Sequence, residues 1–335
     1  MQAHDLSAGG DVLARVHGTA RDAVRLHGLP DAEVTLINVS ENATYRVDDP
    51  ATGRRFILRV HRLGYHSTPA ILSELAWLEA LRCEAGVRTP EVLPAPGGRR
   101  VLTVPGAQPR DCVMFEFLPG VEPPRNRLVP GFERLGALTA RMHRHARGWR
   151  PPSWFTRFRW DHDAALGAES RWGRWRDGAG VDREALAVLE RLDKELRERL
   201  HRFGRGPGRY GLIHADLRLA NLLVTDDRAP SVIDFDDCGF GWYLYDLAAA
   251  VSFIEHDPRV PEMVDSWLRG YRAVLDLPSE DEAEIWTFIM FRRLLLVAWI
   301  GTHTGVDIAA ELGAGYTEGT CELAERYLSG ALRRP

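Results

Sequence analysis

Between Gly211 and Ala250 the chain reads GLIHADLRLANLLVTDDRAPSVIDFDDCGFGWYLYDLAAA, two clusters of carboxylates separated by a short apolar strand pair. Leu222, Leu223 and Val224 predict a strand leading away from the first cluster, and Val232 to Phe235 a strand returning beside it. The turn between them, Thr225-Asp226-Asp227-Arg228, is polar. Such a hairpin brings Asn221 and Asp234 to the same end of two neighbouring strands. A carboxylate beside an amide oxygen suits a hard cation such as magnesium, which keeps several waters and bridges to substrate phosphates. Asp216 is placed to stay free of metal, near an acceptor hydroxyl. The alternative is an ordinary hairpin with acidic ends, and the order and separation of the two clusters favour the site.

His214-x-Asp216 followed by Asn221 has the spacing of the catalytic loop H-R-D-x-x-x-x-N, and Asp234 stands where the metal-holding Asp of D-F-G would stand. Phe235 fits that signature, while Asp236 replaces its glycine. IHADLRLANLLV followed by VIDFDDCGFGWYLYDLA resembles the aminoglycoside phosphotransferase and type II homoserine kinase superfamily. The Asp-Phe-Asp-Asp run and a Trp-rich insert look most like its branch containing the bacterial stress-response serine/threonine kinase. The resemblance runs from about Val34 to the last helices. It implies a bilobal α+β fold of protein-kinase type, with a small β-rich N-lobe over 1–118, including an N-terminal helix, and a larger, mainly helical C-lobe over 119–335. It further implies ATP as donor, Asp216 as proton acceptor, Asn221 and Asp234 as magnesium ligands, and Asp246 as a structural brace for the catalytic loop.

Ahead of that centre, residues up to about Pro30 predict a helix with Val12, Val16, Ala20, Val24 and Leu26 on one face. Val34 to Ile37 and Thr44 to Val47 predict a hairpin resembling the first of a kinase N-lobe. Its loop lacks glycine, so Ser40, Glu41 and Asn42 are the candidate phosphate contacts, against a plain hairpin loop. Arg54 to Val60 is the expected third strand. Arg59 occupies the position of the kinase strand lysine, and Lys194, the sole lysine, lies far along the chain. Arginine is a competent phosphate ligand but not a substitute for an ammonium in kind. Arg62 is its rival. On the helix expected from Ala70 to Glu84, Glu74 resembles the glutamate that orients the strand cation, with Glu79 as alternative. A further hairpin is expected from Thr89 to Val104. Val113 to Leu118 would be the last strand and hinge, with backbone groups from Glu116 to Leu118 binding adenine.

Beyond Gly120 helical patterns dominate. His143 and His145 end one helix, where capping or solvation is favoured over metal binding. The insert containing Trp149, Trp154, Trp160, Trp172 and Trp175 is either a substrate-facing lid or packing over the C-lobe. Arg218, two residues after Asp216, is placed to reach the transferring phosphate, or is a solvated loop arginine. At 335 residues and 45% apolar the chain is long enough for two lobes with a sizeable core. A net charge of only -4 gives no global argument for nucleic acid or a polybasic membrane anchor. Four cysteines without a C-x-x-C pair suggest neither zinc nor redox chemistry. Ile289 to Ile300 is too short to span a bilayer and is interrupted by Arg292 and Arg293. A cytoplasmic enzyme is expected, moving a phosphoryl group from ATP to a small-molecule hydroxyl. A serine or threonine of a protein is the alternative acceptor. A pseudokinase, of a different class, is motivated by the missing strand lysine and altered D-F-G, and opposed by Asp216, Asn221 and Asp234. Oligomeric state is left open.

Overall fold

The computed structural model describes residues 9–225, 229–303 and 307–332. They fall into two compact units: Met1–Ala80 with Thr89–Pro119 and Pro151–Thr156, and Leu81–Arg88 with Gly120–Arg150 and Arg157–Pro335.

The first unit is an antiparallel sheet with helices against it. Its elements are α1 (Gly9–Leu26), β1 (Glu33–Val39), β2 (Ala43–Asp48), β3 (Arg55–Val60), most of α2 (Thr68–Glu84), β4 (Val92–Leu93), β5 (Leu102–Val104) and β6 (Arg110–Glu116). Strand order is β1-β2-β3-β6-β4, with β5 on β6 as well. Helix α1 buries Val16, Ala20, Ala23 and Val24 in one core with Tyr45, Val47, Phe56 and Leu58. Leu26, expected on that face, is 44% exposed, because the helix is already ending there. Gly28 then takes φ +82°, a left-handed turn that glycine adopts without steric cost.

The hairpin expected from Thr89 to Val104 does not form. Only an Ala95–Arg99 bridge joins its two sides. Strand β4 pairs instead with Phe115 and Met114, and β5 with Cys112 to Arg110. A seven-residue β6 offers both short strands a ladder, one towards each end. Helix α2 buries Ile71, Leu75, Leu78 and Leu81 as its periodicity requires, and also Ser73, Glu74 and Trp77.

The second unit contains α3 (Leu128–Gly148), β7 (Phe158–Trp160), α4 (His162–Leu166), α5 (Arg183–Phe203), β8 (Tyr210–Ile213), β9 (Leu222–Leu223), β10 (Ser231–Val232) and β11 (Gly239–Trp242). It continues through α6 (Leu244–Ala250), α7 (Val260–Arg272), α8 (Ser279–Glu282), α9 (Ile285–Thr302) and α10 (Asp307–Leu328). Helices α3 and α7 approach so closely that a Cβ on Gly136 would stand 2.0 Å from the Trp267 carbonyl oxygen. Antiparallel β8 and β11, with β7 parallel to β11, form the small sheet from which the catalytic segment departs.

The Trp-rich insert supplies β7 and packs. Trp160, Trp172 and Trp175 are buried, while Trp154 is 51% exposed. Trp160 stacks on Tyr245 and meets Trp172 edge to face. The stretch Ser279–Thr302 is long and apolar enough for a membrane span by composition, but 83% of its 18-residue apolar segment is buried inside the chain.

Candidate active site

Strands β9 and β10 pair antiparallel, Leu222 with Val232 and Leu223 with Ser231, as the apolar runs require. The Ile233 N–H donates to the Asn221 carbonyl at 3.0 Å, so Asn221 and Asp234 do lie at one end of the hairpin. Asp226, Asp227 and Arg228 of the expected turn lie outside the described residues.

His214 joins this hairpin to the loop before it. Its Nε2 donates to the Ile233 carbonyl at 3.1 Å, its Nδ1 accepts from the Asp216 N–H at 3.3 Å, and its ring lies 4.5 Å from that of Phe235. These bonds fix one neutral tautomer. Two non-glycine residues of the segment are left-handed, Ala215 at φ 67° and Asp234 at φ 59°. Side chains disfavour that region, and such residues persist only where neighbours over-determine them. At Ala215 the neighbours are plain. Asp246, fully buried, accepts from the His214 N–H at 3.1 Å and the Ala215 N–H at 2.8 Å.

Asp246 is held in turn by His143, whose Nε2 lies 3.0 Å from it and whose Nδ1 lies 3.0 Å from the Tyr271 hydroxyl. Burial pushes His143 below its usual pKa and outweighs the pull of Asp246. The ring is therefore neutral, donating to the carboxylate and accepting from the phenol. The expectation that His143 caps or solvates its helix is thus corrected: it is wholly buried and braces the brace. His145 is not solvated either: its side chain is 7% exposed, and its Nε2 lies 3.0 Å from Glu84.

Asp216 gathers three donors. Its Oδ2 accepts from Asn221 Nδ2 at 2.7 Å and Arg218 Nε at 3.2 Å, and its Oδ1 from Arg292 Nη2 at 2.6 Å. Burial would raise this carboxyl, but the guanidiniums of Arg218 and Arg292 together hold it below the usual carboxylate value. Asn221 Nδ2 also donates to the Asp216 carbonyl at 2.8 Å. With its amine end spent on Asp216, the Asn221 side chain keeps its oxygen as the free acceptor. An amide oxygen and a carboxylate are hard donors of the kind a magnesium ion shared with phosphates takes, and Asn221 and Asp234 bring one of each to the same end of the hairpin. Among the described residues no group of three or more His, Cys, Asp or Glu could cage a metal alone.

Arg292 was missed by motif reading. It sits on α9 with 2% exposure, donating also to the Ala215 carbonyl and Tyr245 hydroxyl through Nη1 and to Ser252 through Nε. The indole of Trp172 faces its guanidinium at 5.1 Å. Tyr245 is itself pushed up to about 12 by burial, so its hydroxyl stays protonated.

In the first unit, Arg59 Nη2 meets Glu74 Oε1 at 2.5 Å, both buried, with the Phe115 ring 5.3 Å from the guanidinium. The rivals are occupied elsewhere: Glu79 pairs with Arg100, and Arg62 lies over the Tyr65 ring. Asn42 accepts from the Arg62 N–H at 3.0 Å, so its side-chain oxygen serves the loop itself. The Ser40 N–H closes the same bend on the Asn42 carbonyl. Glu116 spends its carboxylate on Arg54 and its N–H on Glu91. No described residue hydrogen-bonds the Leu118 N–H.

The model of the Phosphotransferase enzyme family (APH) matches residues 33–284. The chain belongs to that family. A microcompartment-associated aminopropanol kinase of known structure is 48% identical, covers 95% of this chain and 99% of its own, and superposes with a TM-score of 0.88. A homoserine kinase from Granulibacter bethesdensis is 27% identical, over 80% of this chain and 81% of that protein. An amicoumacin kinase solved with AMP-PNP, Ca2+ and Ami shares the fold at 22% identity and a TM-score of 0.76, covering 95% of each chain. The bilobal α+β expectation holds, and these relatives fit the small-molecule kinase reading better than the protein-kinase alternative.

Proposed function

We propose that the enzyme transfers the γ-phosphoryl group of magnesium-bound ATP to the hydroxyl of a small amino alcohol. The observation that carries this reading is Asp216, a carboxylate with an open acceptor position on Oδ1, bonded to Asn221, which shares one end of its hairpin with Asp234. The 48% likeness to an aminopropanol kinase supports the acceptor class. In this reading Arg59, oriented by Glu74, contacts the α and β phosphates, and the Leu118 N–H receives adenine. Ser40 and Glu116 contribute through backbone groups. Asn221 and Asp234 would hold magnesium, which neutralises charge on the phosphates. Arg218 stands by the transferring group.

Asp216 orients the acceptor O–H. As the acceptor oxygen bonds to the γ-phosphorus, the bond from phosphorus to the bridging oxygen breaks, ADP keeps that electron pair, and the acceptor proton passes to Asp216. A depressed carboxyl is a weak base, so orientation is its larger contribution, in keeping with a loose transition state that needs little proton removal early. Four free thiols and use of ATP fit a cytoplasmic site of action. The test is an ATP-consumption screen over 1-amino-2-propanol, homoserine, choline, aminoglycosides and generic protein substrates, repeated with Asp216→Asn. The expected result is turnover on an amino alcohol, reduced about 10²-fold in the variant with nucleotide affinity kept. Turnover on protein alone, or an Asp216→Asn enzyme near wild type, would refute the reading.

A further inference from the structure

A carboxylate oxygen offers two acceptor positions. On Asp216, Oδ2 has both filled, by Asn221 Nδ2 and Arg218 Nε. Oδ1 has one filled, by Arg292 Nη2. The oxygen that receives an acceptor hydroxyl is therefore Oδ1, and the group already on Oδ1 is Arg292.

We infer that Arg292 is the positioning residue for the acceptor: it fixes the rotation of the Asp216 carboxylate so that Oδ1 presents its open lone pair, and it lays a fixed positive charge next to the oxygen that attacks phosphorus. This rests on the phosphotransferase reading above and adds to it a residue that lies outside every catalytic-loop motif.

The cage around Arg292 explains how a single side chain sets such an angle. Nη1 is tied to the Ala215 carbonyl at 3.1 Å and the Tyr245 hydroxyl at 3.0 Å, and Nε to Ser252 at 3.3 Å. Trp172 covers its face. With these four contacts the guanidinium plane is held, and its third nitrogen, Nη2, points one N–H at Oδ1. The Ala215 carbonyl is the peptide next to a left-handed residue, so the same guanidinium also holds the backbone that carries Asp216. Arg218 differs in kind, being on the loop itself with 30% of its side chain exposed. Arg292, with 2% exposure, is locked onto Oδ1 inside the fold. A planar fork suits this work where an ammonium, without a fixed plane, does not.

The experiment uses the full chain, Mg-ATP and 1-amino-2-propanol, or the best acceptor of the screen. It measures three quantities for wild type, Arg292→Lys and Arg292→Gln: the rate of transfer to the alcohol, the ATP KM, and the share of γ-phosphoryl lost to water. A misplacement of about 1 Å costs about 10²-fold in an oriented reaction. Transfer should fall by about that factor in both variants, while the ATP KM stays within about 2-fold and the share going to water rises about 10-fold or more. Water needs no placement by Oδ1, whereas a merely structural arginine would lower transfer and hydrolysis in proportion. Proportional loss, or a Lys variant transferring at the wild-type rate, overturns the inference. Should both variants fail to fold, Tyr245→Phe removes only the hydroxyl anchoring Nη1. It should shift the same partition towards water, and an unchanged partition there is equally fatal. A wild type that phosphorylates no alcohol at all would instead sink the functional reading itself.

Discussion

Replacing Arg59 by methionine leaves Glu74 with no hydrogen-bond partner among the described residues. The glutamate is 0% exposed, its Oε1 takes the Arg59 guanidinium at 2.5 Å, and its Oε2 is buried without a partner among those residues. Stranding a buried charge in this way costs about 3–5 kcal/mol, against about 0.2–1 kcal/mol for an exposed pair. Removing both charges with side chains of similar volume is near neutral, because no ion then has to be desolvated. The double variant Arg59→Met/Glu74→Leu should therefore recover most of the stability that Arg59→Met loses, with a coupling of about 3 kcal/mol. Nucleotide use should not recover with it. One charge-assisted hydrogen bond to a phosphate is worth about 1.5–3 kcal/mol, so the ATP KM should rise about 10- to 100-fold in Arg59→Met and in the double variant alike. Urea melts give the first quantity and steady-state kinetics the second. A double variant as unstable as Arg59→Met would mean that the two side chains are not coupled as described. A stable double variant with a wild-type ATP KM would remove Arg59 from the phosphates and return Arg62 to consideration.

Asp234→Ala should abolish magnesium-dependent turnover and weaken Mg-ATP far more than metal-free ATP in titration calorimetry, since a direct ligand is lost; equal losses would count against the ligand role. Because the folded state holds His143 neutral below its ordinary pKa, the unfolded chain binds the extra proton once the pH falls through about 6.5. The stability His143 contributes is thus full above that value and declines below it, so wild type and His143→Gln should converge in urea melts between pH 7 and 5, and a constant difference would refute the assignment. Arg218→Ala should lower the single-turnover transfer rate at saturating ATP with the ATP KM nearly unchanged, because its contact with phosphate strengthens as transfer proceeds; an unchanged rate would leave it a loop arginine.

What the sequence made legible follows how local the physics is. Strands β1 to β3 and helix α2 were readable because their apolar periodicity is written within each element. The hairpin from Thr89 to Val104 was misread because a two-residue strand has no preference of its own, and β4 pairs with Phe115 and Met114 of β6 rather than with β5. The Asp216, Asn221 and Asp234 cluster was readable because the hairpin that gathers these residues is contained in one segment. His143 was not. A histidine near the end of a helix says nothing about whether that end is buried, and its partners Asp246 and Tyr271 come 103 and 128 residues later.

Arg292 is the instructive case, since the signal was present and was put to another use. Two adjacent arginines in the run from Ile289 to Ile300 argue against a membrane span, but they also carry a positive statement. A helix apolar on every side is buried on every side, and a guanidinium cannot shed its charge when buried. Each arginine must then find a carboxylate or several carbonyl and hydroxyl oxygens. Neighbours on a helix diverge by about 100°, so two such residues need two separate partners. The structure supplies them: Arg292 takes Asp216, and Arg293 takes Glu255 at 2.6 Å with both side chains of that pair under 3% exposed. Glu255 follows shortly after Phe253, a third left-handed residue at φ 68°. The arginine pair thus fastens two strained turns of one unit to a single interior helix. Its existence could have been argued from the sequence, but its targets could not, because 76 and 38 residues separate the partners and only packing decides which carboxylate each guanidinium meets.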